Sequence, residues 1–367
     1  ISQLSHGTAS ALSLIHLAFL TGHIGRLGTG LNPLRGQNNV QGASDMGAMP
    51  HHYPGYMRVD EPASAAKWES AWNMESGGLN RELGLTTTEI LSNAHPGGVR
   101  ALYIMGENPM MSEPNLNQTR KHMQNLEFIV AQDLFINESG AFADVFLPTA
   151  PFAEKDGTFT NTDRRVQLGR QAIDPTGEAR QDLMIIMDMA HRLGLHWDYQ
   201  GPRDVFAEMR QAMPSIAGIT RERLEAESAV TYPCEQQGDP GETVIFTQRF
   251  PSADGKALLV PAAFRKADEL PDSEYPAILI TGRQLEHWHT GAMTRRASVL
   301  DAIEPSPVAW LHQDQLDAIG ARPGELVRLR SRRGAVTAHA RVDNGLQMGQ
   351  VFLPFCYHEA AANLLTN

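Results

Sequence analysis

The stretch Val99-Arg100-Ala101-Leu102-Tyr103-Ile104, followed by Gly106-Glu107-Asn108-Pro109, decides the fold class. Residues 99–104 read as a short apolar strand, and 106–109 as its exit loop. The polar stretch 115–125 predicts a helix. Residues 127–131 predict a second strand with Gln132-Asp133 at its end, and 144–147 a third that closes at Pro148. Strand, helix and strand in this order imply a parallel sheet with right-handed crossovers. In such sheets, loops at the carboxyl ends of strands bind ligands. Those loops carry Glu107, Asn108, Gln132 and Asp133.

Downstream, residues 182–193 predict an amphipathic helix. Leu183, Ile186, Met187, Ala190 and Leu193 recur at helical spacing, and Gly194 suits a C-cap. Residues 198–276 are less regular, and the Pro/Gly punctuation at 233–241 marks a candidate boundary. From Tyr275 the character turns to β. Short strands are expected at 277–281, 308–312, 325–331, 335–342 and 350–354, with a hairpin turn at 331–334 and one helical insert at 313–319. Evenly spaced short strands predict a small barrel. Upstream, residues 9–20 predict a helix whose apolar face holds Leu12, Ile15, Leu17, Ala18 and Leu20. Another helix is expected near 86–94. Between them, residues 28–47 are rich in Gly and Asn and fit no helix or strand period. A long loop of low charge is expected to line a ligand.

Composition narrows the classes. The 367 residues carry 31 Lys+Arg against 42 Asp+Glu, a net charge of −11. A general nucleic-acid surface needs an excess of cations, so that class is excluded. No apolar run reaches the roughly 18 residues of a membrane helix. Two cysteines, Cys234 and Cys356, cannot build a disulfide framework, a four-Cys zinc site or a cluster-binding set, and free thiols are expected. The sequence opens Ile1-Ser2-Gln3, with no initiator Met and no signal-like leader, and stops at Asn367 directly after an apolar stretch. It therefore reads as a piece of a longer polypeptide.

Three clusters concentrate chemistry. Arg35 is a lone cation in the Gly/Asn loop, with no acidic residue before Asp45. A guanidinium fork matches a carboxylate or another planar anion; a solvated surface Arg is the alternative. Gln37, Asn38, Asn39 and Gln41 add neutral donors and acceptors, unless they serve the loop's own backbone. The second cluster is Thr281-Gly282-Arg283-Gln284-Leu285-Glu286-His287-Trp288-His289-Thr290-Gly291. A tetrahedral zinc site needs three or four ligands, and no Cys or further His lies close in sequence. Hydrogen bonding to an anionic ligand, with Arg283 as the cation, fits better; polar rim residues are the alternative. The third runs from Glu154 to Arg165. Lys155 could meet a phosphate there, although a charged turn is the better reading. Asp182 could be the N-cap of its helix, and His51-His52 read as loop surface. No P-loop, nucleophile elbow or Gly-x-Gly-x-x-Gly fingerprint is present. Residues alone stop at an α/β protein with a β-barrel tail and a polar ligand site.

Three motifs in order carry a resemblance. They are Leu34-Arg35-Gly36-Gln37-Asn38-Asn39-Val40-Gln41-Gly42-Ala43-Ser44-Asp45-Met46-Gly47, then Ala153-Glu154-Lys155-Asp156-Gly157-Thr158-Phe159-Thr160-Asn161-Thr162, then the 281–291 cluster. Over essentially its whole length the chain resembles formate dehydrogenase catalytic subunits, which are molybdopterin oxidoreductases of the dimethyl sulfoxide reductase type. The last two motifs are shared with periplasmic nitrate reductase, the runner-up. The first points to formate dehydrogenase. A non-catalytic cofactor-binding fragment is the reading from outside the enzymes.

The resemblance implies Rossmann-like parallel-sheet domains and a C-terminal six-stranded-type (double-psi-like) β-barrel. It implies that 1–37 end an α/β cofactor-binding domain, 38–274 form interleaved α/β domains, and 275–367 form a truncated dinucleotide-binding barrel. It implies a bis-molybdopterin guanine dinucleotide with molybdenum or tungsten. The Cys or selenocysteine metal ligand and a 4Fe-4S cluster set are expected upstream of Ile1, so no metal ligand is expected within these residues. Arg35 matches the active-site Arg that holds the formate carboxylate. Gln3, Gln37, Lys155 and Asp182 match cofactor contacts. Glu107, Asn108, Gln132 and Asp133 match positions that meet one guanosine portion. Thr281, Gly282, Arg283, Leu285, Glu286, His287, His289 and Thr290 match the loop around the pterin and pyrophosphate. Phe355 and Asn363 match late contacts. The implied reaction is the two-electron interconversion of formate and carbon dioxide. Iron–sulfur and flavin (NAD) subunits are the implied partners. The cytoplasm is the expected compartment, with the periplasm left open.

Overall fold

The structure, a computed structural model, describes residues 5–367. The chain forms two compact units. One holds the residues up to Gly84 together with Ala150–Asp268; the other holds Leu85–Thr149 and Glu269–Asn367.

In the second unit the parallel sheet is as the sequence predicts. Ala101–Met105 pairs in parallel with Phe128–Asp133, which pairs in parallel with Val145–Pro148. The polar stretch forms the helix Leu116–Gln124, which buries Leu116, Thr119 and Met123. Thr86 opens the helix Thr87–Ser92 through a capping box: its backbone N–H donates to Glu89 at 2.8 Å and its hydroxyl at 2.7 Å. Gly106 takes a positive φ of 65° where the chain leaves the first strand, a conformation that costs glycine little.

The β-rich tail also forms where expected. Its five strands lie in the order Leu326–Arg330, Ala335–Val342, Val308–Leu311, Gln350–Pro354, Ile278–Gly282. The predicted hairpin closes with Ser331 N–H donating to Gly334 O at 2.9 Å. The core beneath the sheet is Leu311, Leu316, Val327, Ala338, Val351, Leu353 and their neighbours. The barrel expectation needs correcting. The strands make an open mixed sheet, and no closed barrel is found among the described residues. One edge strand, Leu326–Arg330, carries Arg328 and Arg330, and charge on an edge discourages further pairing.

The first unit departs more from expectation. The helix Gly7–Leu20 forms, and of its expected apolar face Leu12, Ile15 and Ala18 are half-buried, whereas Leu17 and Leu20 are exposed. The loop 28–47 contains a helix, Val40–Asp45, which Asn39 enters with a left-handed φ of 60°. Six residues with Gly42 at the middle give too little periodicity to read. The charged stretch around Lys155 is not one turn. Gly157–Thr160 and Arg165–Gly169 form an antiparallel hairpin, extended by Ala229–Thr231. The helix Asp182–Arg192 ends on Gly194 in a Schellman arrangement, with Leu195 N–H on Ala190 O at 2.9 Å. Its buried face is Ile185, Met187 and Ala190, whereas Leu193 is exposed. The core of this unit gathers Tyr53, Trp68, Val166, Phe206, Met213, Ile219, Leu224 and Val230.

Candidate functional site

In the first unit the site residues surround the helix Val40–Asp45. Arg35 is exposed, and its Nη1 donates to Ser44 Oγ at a long 3.4 Å. Among the described residues no carboxylate pairs with it. Gln37 is exposed beside it in sequence. Asn39 turns inward instead: its Oδ1 accepts from Thr160 N–H at 2.9 Å. That bond ties the first motif to the second. Gly42 allows it, because a Cβ there would meet Asn39 Oδ1 at 2.2 Å.

The carboxyl end of the helix is anchored by Asp45, which is buried. Asp45 accepts from Gln41 Nε2 at 2.8 Å, from the Tyr56 hydroxyl at 2.9 Å and from the Tyr232 hydroxyl at 2.8 Å. Burial and then the Asp45 carboxylate raise both phenols above the ordinary tyrosine value. A cavity of about 320 Å³ adjoins this anchor, lined by Asp45, Tyr56, Tyr232, Phe206 and Met213 among others. Sequence reading missed this anchor. The Gln41/Asp45 spacing of four was a local signal, but Tyr232 lies 187 residues from Asp45.

Lys155 and Asp182 pair with each other, each about one quarter exposed. Asp182 is not the N-cap: Gln181 holds that place and Asp182 is the first helical residue. Gln3 lies outside the described residues.

In the second unit, two groups of candidates sit at strand ends. Gln132 is fully buried and accepts from the Tyr103 hydroxyl. Asp133 accepts from Leu134 N–H at 2.6 Å and from the Asn137 amide at 2.8 Å. Asn108 is committed internally: its Oδ1 accepts from Ser139 Oγ at 2.7 Å, and its Nδ2 donates to Glu138 at 2.7 Å. Glu107 keeps solvent contact. The protein packed around it and then the Asp133 carboxylate nevertheless hold its carboxyl above the usual range. Glu113 is raised too, by burial first and then by Glu107.

The 281–291 loop leaves the last residues of Ile278–Gly282, and Thr281 and Gly282 stand in register with Leu353 and Pro354. This parallel pairing brings Phe355 beside the loop, with its ring 5.5 Å from that of His289. Arg283 lies over the Trp288 ring at 4.8 Å, and no carboxylate pairs with it among the described residues. Burial and then Arg283 lower the His289 pKa, so a neutral imidazole is favoured at pH 7. Leu285 is almost fully exposed. Glu286 and Thr290 are partly covered. His287 is buried, with Nε2 at 2.8 Å from Glu304 O and its ring edge-on to Tyr357. Among the described residues, its Nδ1 and the nearby Gln284 Nε2 have no hydrogen-bond partner. Asn363 is spent structurally: its amide donates to Met111 O at 3.0 Å and Ser112 O at 2.9 Å. Among the described residues no group of three His, Cys, Asp or Glu side chains could hold a metal ion.

The molybdopterin oxidoreductase family model matches residues 1–192, more than half of the chain. The chain belongs to the molybdopterin oxidoreductases. A molydopterin dinucleotide binding domain matches residues 277–367. The chain is 42% identical, over 369 residues, to the F420-dependent formate dehydrogenase subunit alpha of Methanocaldococcus jannaschii, covering 100% of this chain and 54% of that protein. It is 34% identical to formate dehydrogenase H of Escherichia coli, covering 100% of this chain and 51% of that protein. The chain thus spans about half the length of these relatives. Acetylene hydratase from Pelobacter acetylenicus shares the fold, with a TM-score of 0.64 and 18% identity over 89% of this chain and 46% of that one. The alternating α/β architecture with its parallel sheet is therefore that of the family.

The side chains present are chemically compatible with an anionic molybdopterin dinucleotide. Strand-end carboxyls such as Glu107 can accept from a guanine edge, and Arg283 offers an unpaired guanidinium to phosphate. The orphaned Gln284 and His287 nitrogens add unspent polar capacity in the same loop.

The thiols yield a first prediction. Cys356 is 2% exposed, and burial pushes its pKa up from 9.0 to about 12. At pH 8 the reactive thiolate is then on the order of 10³-fold scarcer than in a free thiol. Iodoacetamide should leave Cys356 unlabelled in the folded protein and label it after denaturation, as read by peptide mass spectrometry. Rapid labelling of the folded protein would contradict this.

Proposed function

We propose that this chain supplies the substrate arginine and much of the cofactor cradle of a formate dehydrogenase. The cofactor is read as bis-molybdopterin guanine dinucleotide carrying molybdenum or tungsten. The observation that carries the reading is Arg35: a guanidinium with no carboxylate partner among the described residues, in the motif that distinguishes formate dehydrogenase. A planar fork pairs bidentately with a carboxylate, and formate is the smallest carboxylate.

When bound, the metal cofactor supplies the two-electron redox chemistry. The chain's own residues position and hold. Arg35 fixes the formate carboxylate and so orients its C–H bond; orientation of this kind removes part of the barrier. Arg283, His289 and Phe355 form one patch against the anionic cofactor. Neutral His289 can donate a hydrogen bond there without requiring a counterion. Lys155 supplies a further cation held in place by Asp182. Glu107 and Asp133 would accept from the guanine of one nucleotide portion. In this reading 4Fe-4S clusters upstream of these residues would take the electrons on to iron–sulfur and flavin (NAD) subunits, and the compartment would be the cytoplasm.

The test uses the purified enzyme that carries this chain. Metal and pterin analysis should find molybdenum or tungsten with a guanine dinucleotide pterin, and formate should reduce a viologen dye. Nitrate-dependent oxidation of reduced dye without formate turnover would replace this reading with nitrate reductase. Absence of both metal and pterin would leave a scaffold.

A further inference from the structure

Arg35 takes its place from the helix Val40–Asp45, and that helix is pinned at both ends. At its start, Asn39 in a left-handed conformation accepts from Thr160 on the neighbouring hairpin. At its end, buried Asp45 takes three donors from two remote segments and its own helix. Gln41 Nε2 also lies 3.0 Å from the Tyr56 hydroxyl and 3.1 Å from the Tyr232 hydroxyl, so its two hydrogens are shared among three acceptors and the ring of contacts closes. A buried carboxylate persists only when its lone pairs are satisfied, and here they are. Among the described residues, the one side-chain hydrogen bond of Arg35 goes to Ser44, the residue beside Asp45 on this helix. Arg35 also lies only five residues before the helix in the chain, so a shift of the helix is transmitted to the guanidinium through this contact and the short connecting segment.

We infer that Asp45, with Tyr56, Tyr232 and Gln41, is a positioning cluster that sets where Arg35 presents its fork to the substrate carboxylate. This rests on the reading of Arg35 as the formate-binding residue. None of the four is a catalytic residue; they act through the helix. A cluster serving only fold stability would loosen the helix without touching substrate affinity. A positioning cluster couples the two.

The test compares Tyr232→Phe and Asp45→Asn in the holoenzyme. Tyr232→Phe keeps the ring that packs in the core and removes one donor, so it keeps the test open if Asp45→Asn does not fold. Two readouts are taken. Hydrogen–deuterium exchange of residues 40–46 should speed up at least fivefold. The KM for formate should rise on the order of tenfold, with kcat within about threefold and metal and pterin content unchanged. Faster exchange with an unchanged formate KM would overturn the inference, and so would unchanged exchange. If the unsubstituted enzyme does not turn over formate at all, the functional reading fails instead; the exchange result still stands as a separate measurement on the helix.

Discussion

Arg35→Ala is expected to cut kcat/KM for formate by at least 10²-fold while leaving metal and pterin content unchanged. Each hydrogen bond between the guanidinium and a carboxylate contributes about 1.5–3 kcal/mol, and every 1.4 kcal/mol is about tenfold. Losing a two-bond fork therefore costs about two powers of ten or more. Part of the loss should appear in kcat, because a carboxylate held by one residue also loses its orientation. Arg35→Lys restores the charge but not the planar fork, and should recover only part of the rate. The folded state has little at stake in the substitution: Arg35 is exposed and makes one long hydrogen bond. Thermal unfolding should be nearly unmoved. Formate kinetics equal to those of the unsubstituted enzyme would refute the role.

Gly291→Ala carries the second large effect. Gly291 has φ +78°, and a Cβ there would meet Cys356 O at 2.5 Å and the Arg295 side chain at 2.7 Å. The left-handed conformation alone costs about 1–2 kcal/mol for an alanine. The backbone clash adds to it, because Cys356 belongs to the buried segment that also carries Phe355 and Tyr357. Moving Cys356 separates Phe355 from His289 and Tyr357 from His287. The enzyme should then lose several-fold in bound pterin and unfold at lower temperature. Gly320→Ala is the control, with φ +70° and no atom within 4 Å of its Cβ. It should lower stability by the strain alone and keep the cofactor. Equal behaviour of the two variants would remove the argument that the 281–291 loop needs this close approach.

Much of the architecture is legible because its signals are local. The strands at 101–105, 128–133 and 145–148 are short apolar runs separated by polar helix and turn residues, and such runs announce themselves within a few positions. The tail strands and their hairpin turn are legible for the same reason. The hairpin Gly157–Thr160 with Arg165–Gly169 was not, since charge and hydroxyl residues hide its alternation. Barrel closure was also beyond local pattern. It depends on which edges meet, and the edges found here do not. Among the candidate site residues, the motif order alone singled out Arg35, Lys155 and the 281–291 loop. It could not reveal that Asn108 and Asn363 are spent on internal hydrogen bonds.

The amino-acid sequence by itself determined the α/β class, the family and the lone cation Arg35, because strand periodicity, motif order and charge isolation are properties of neighbouring residues. Tertiary structure alone decided what anchors the helix that follows that cation. Asp45 meets Tyr232 across 187 residues and Asn39 meets Thr160 across 121. The physical reason is that a buried carboxylate must find its donors wherever the folded chain brings them, and no local pattern records where that is.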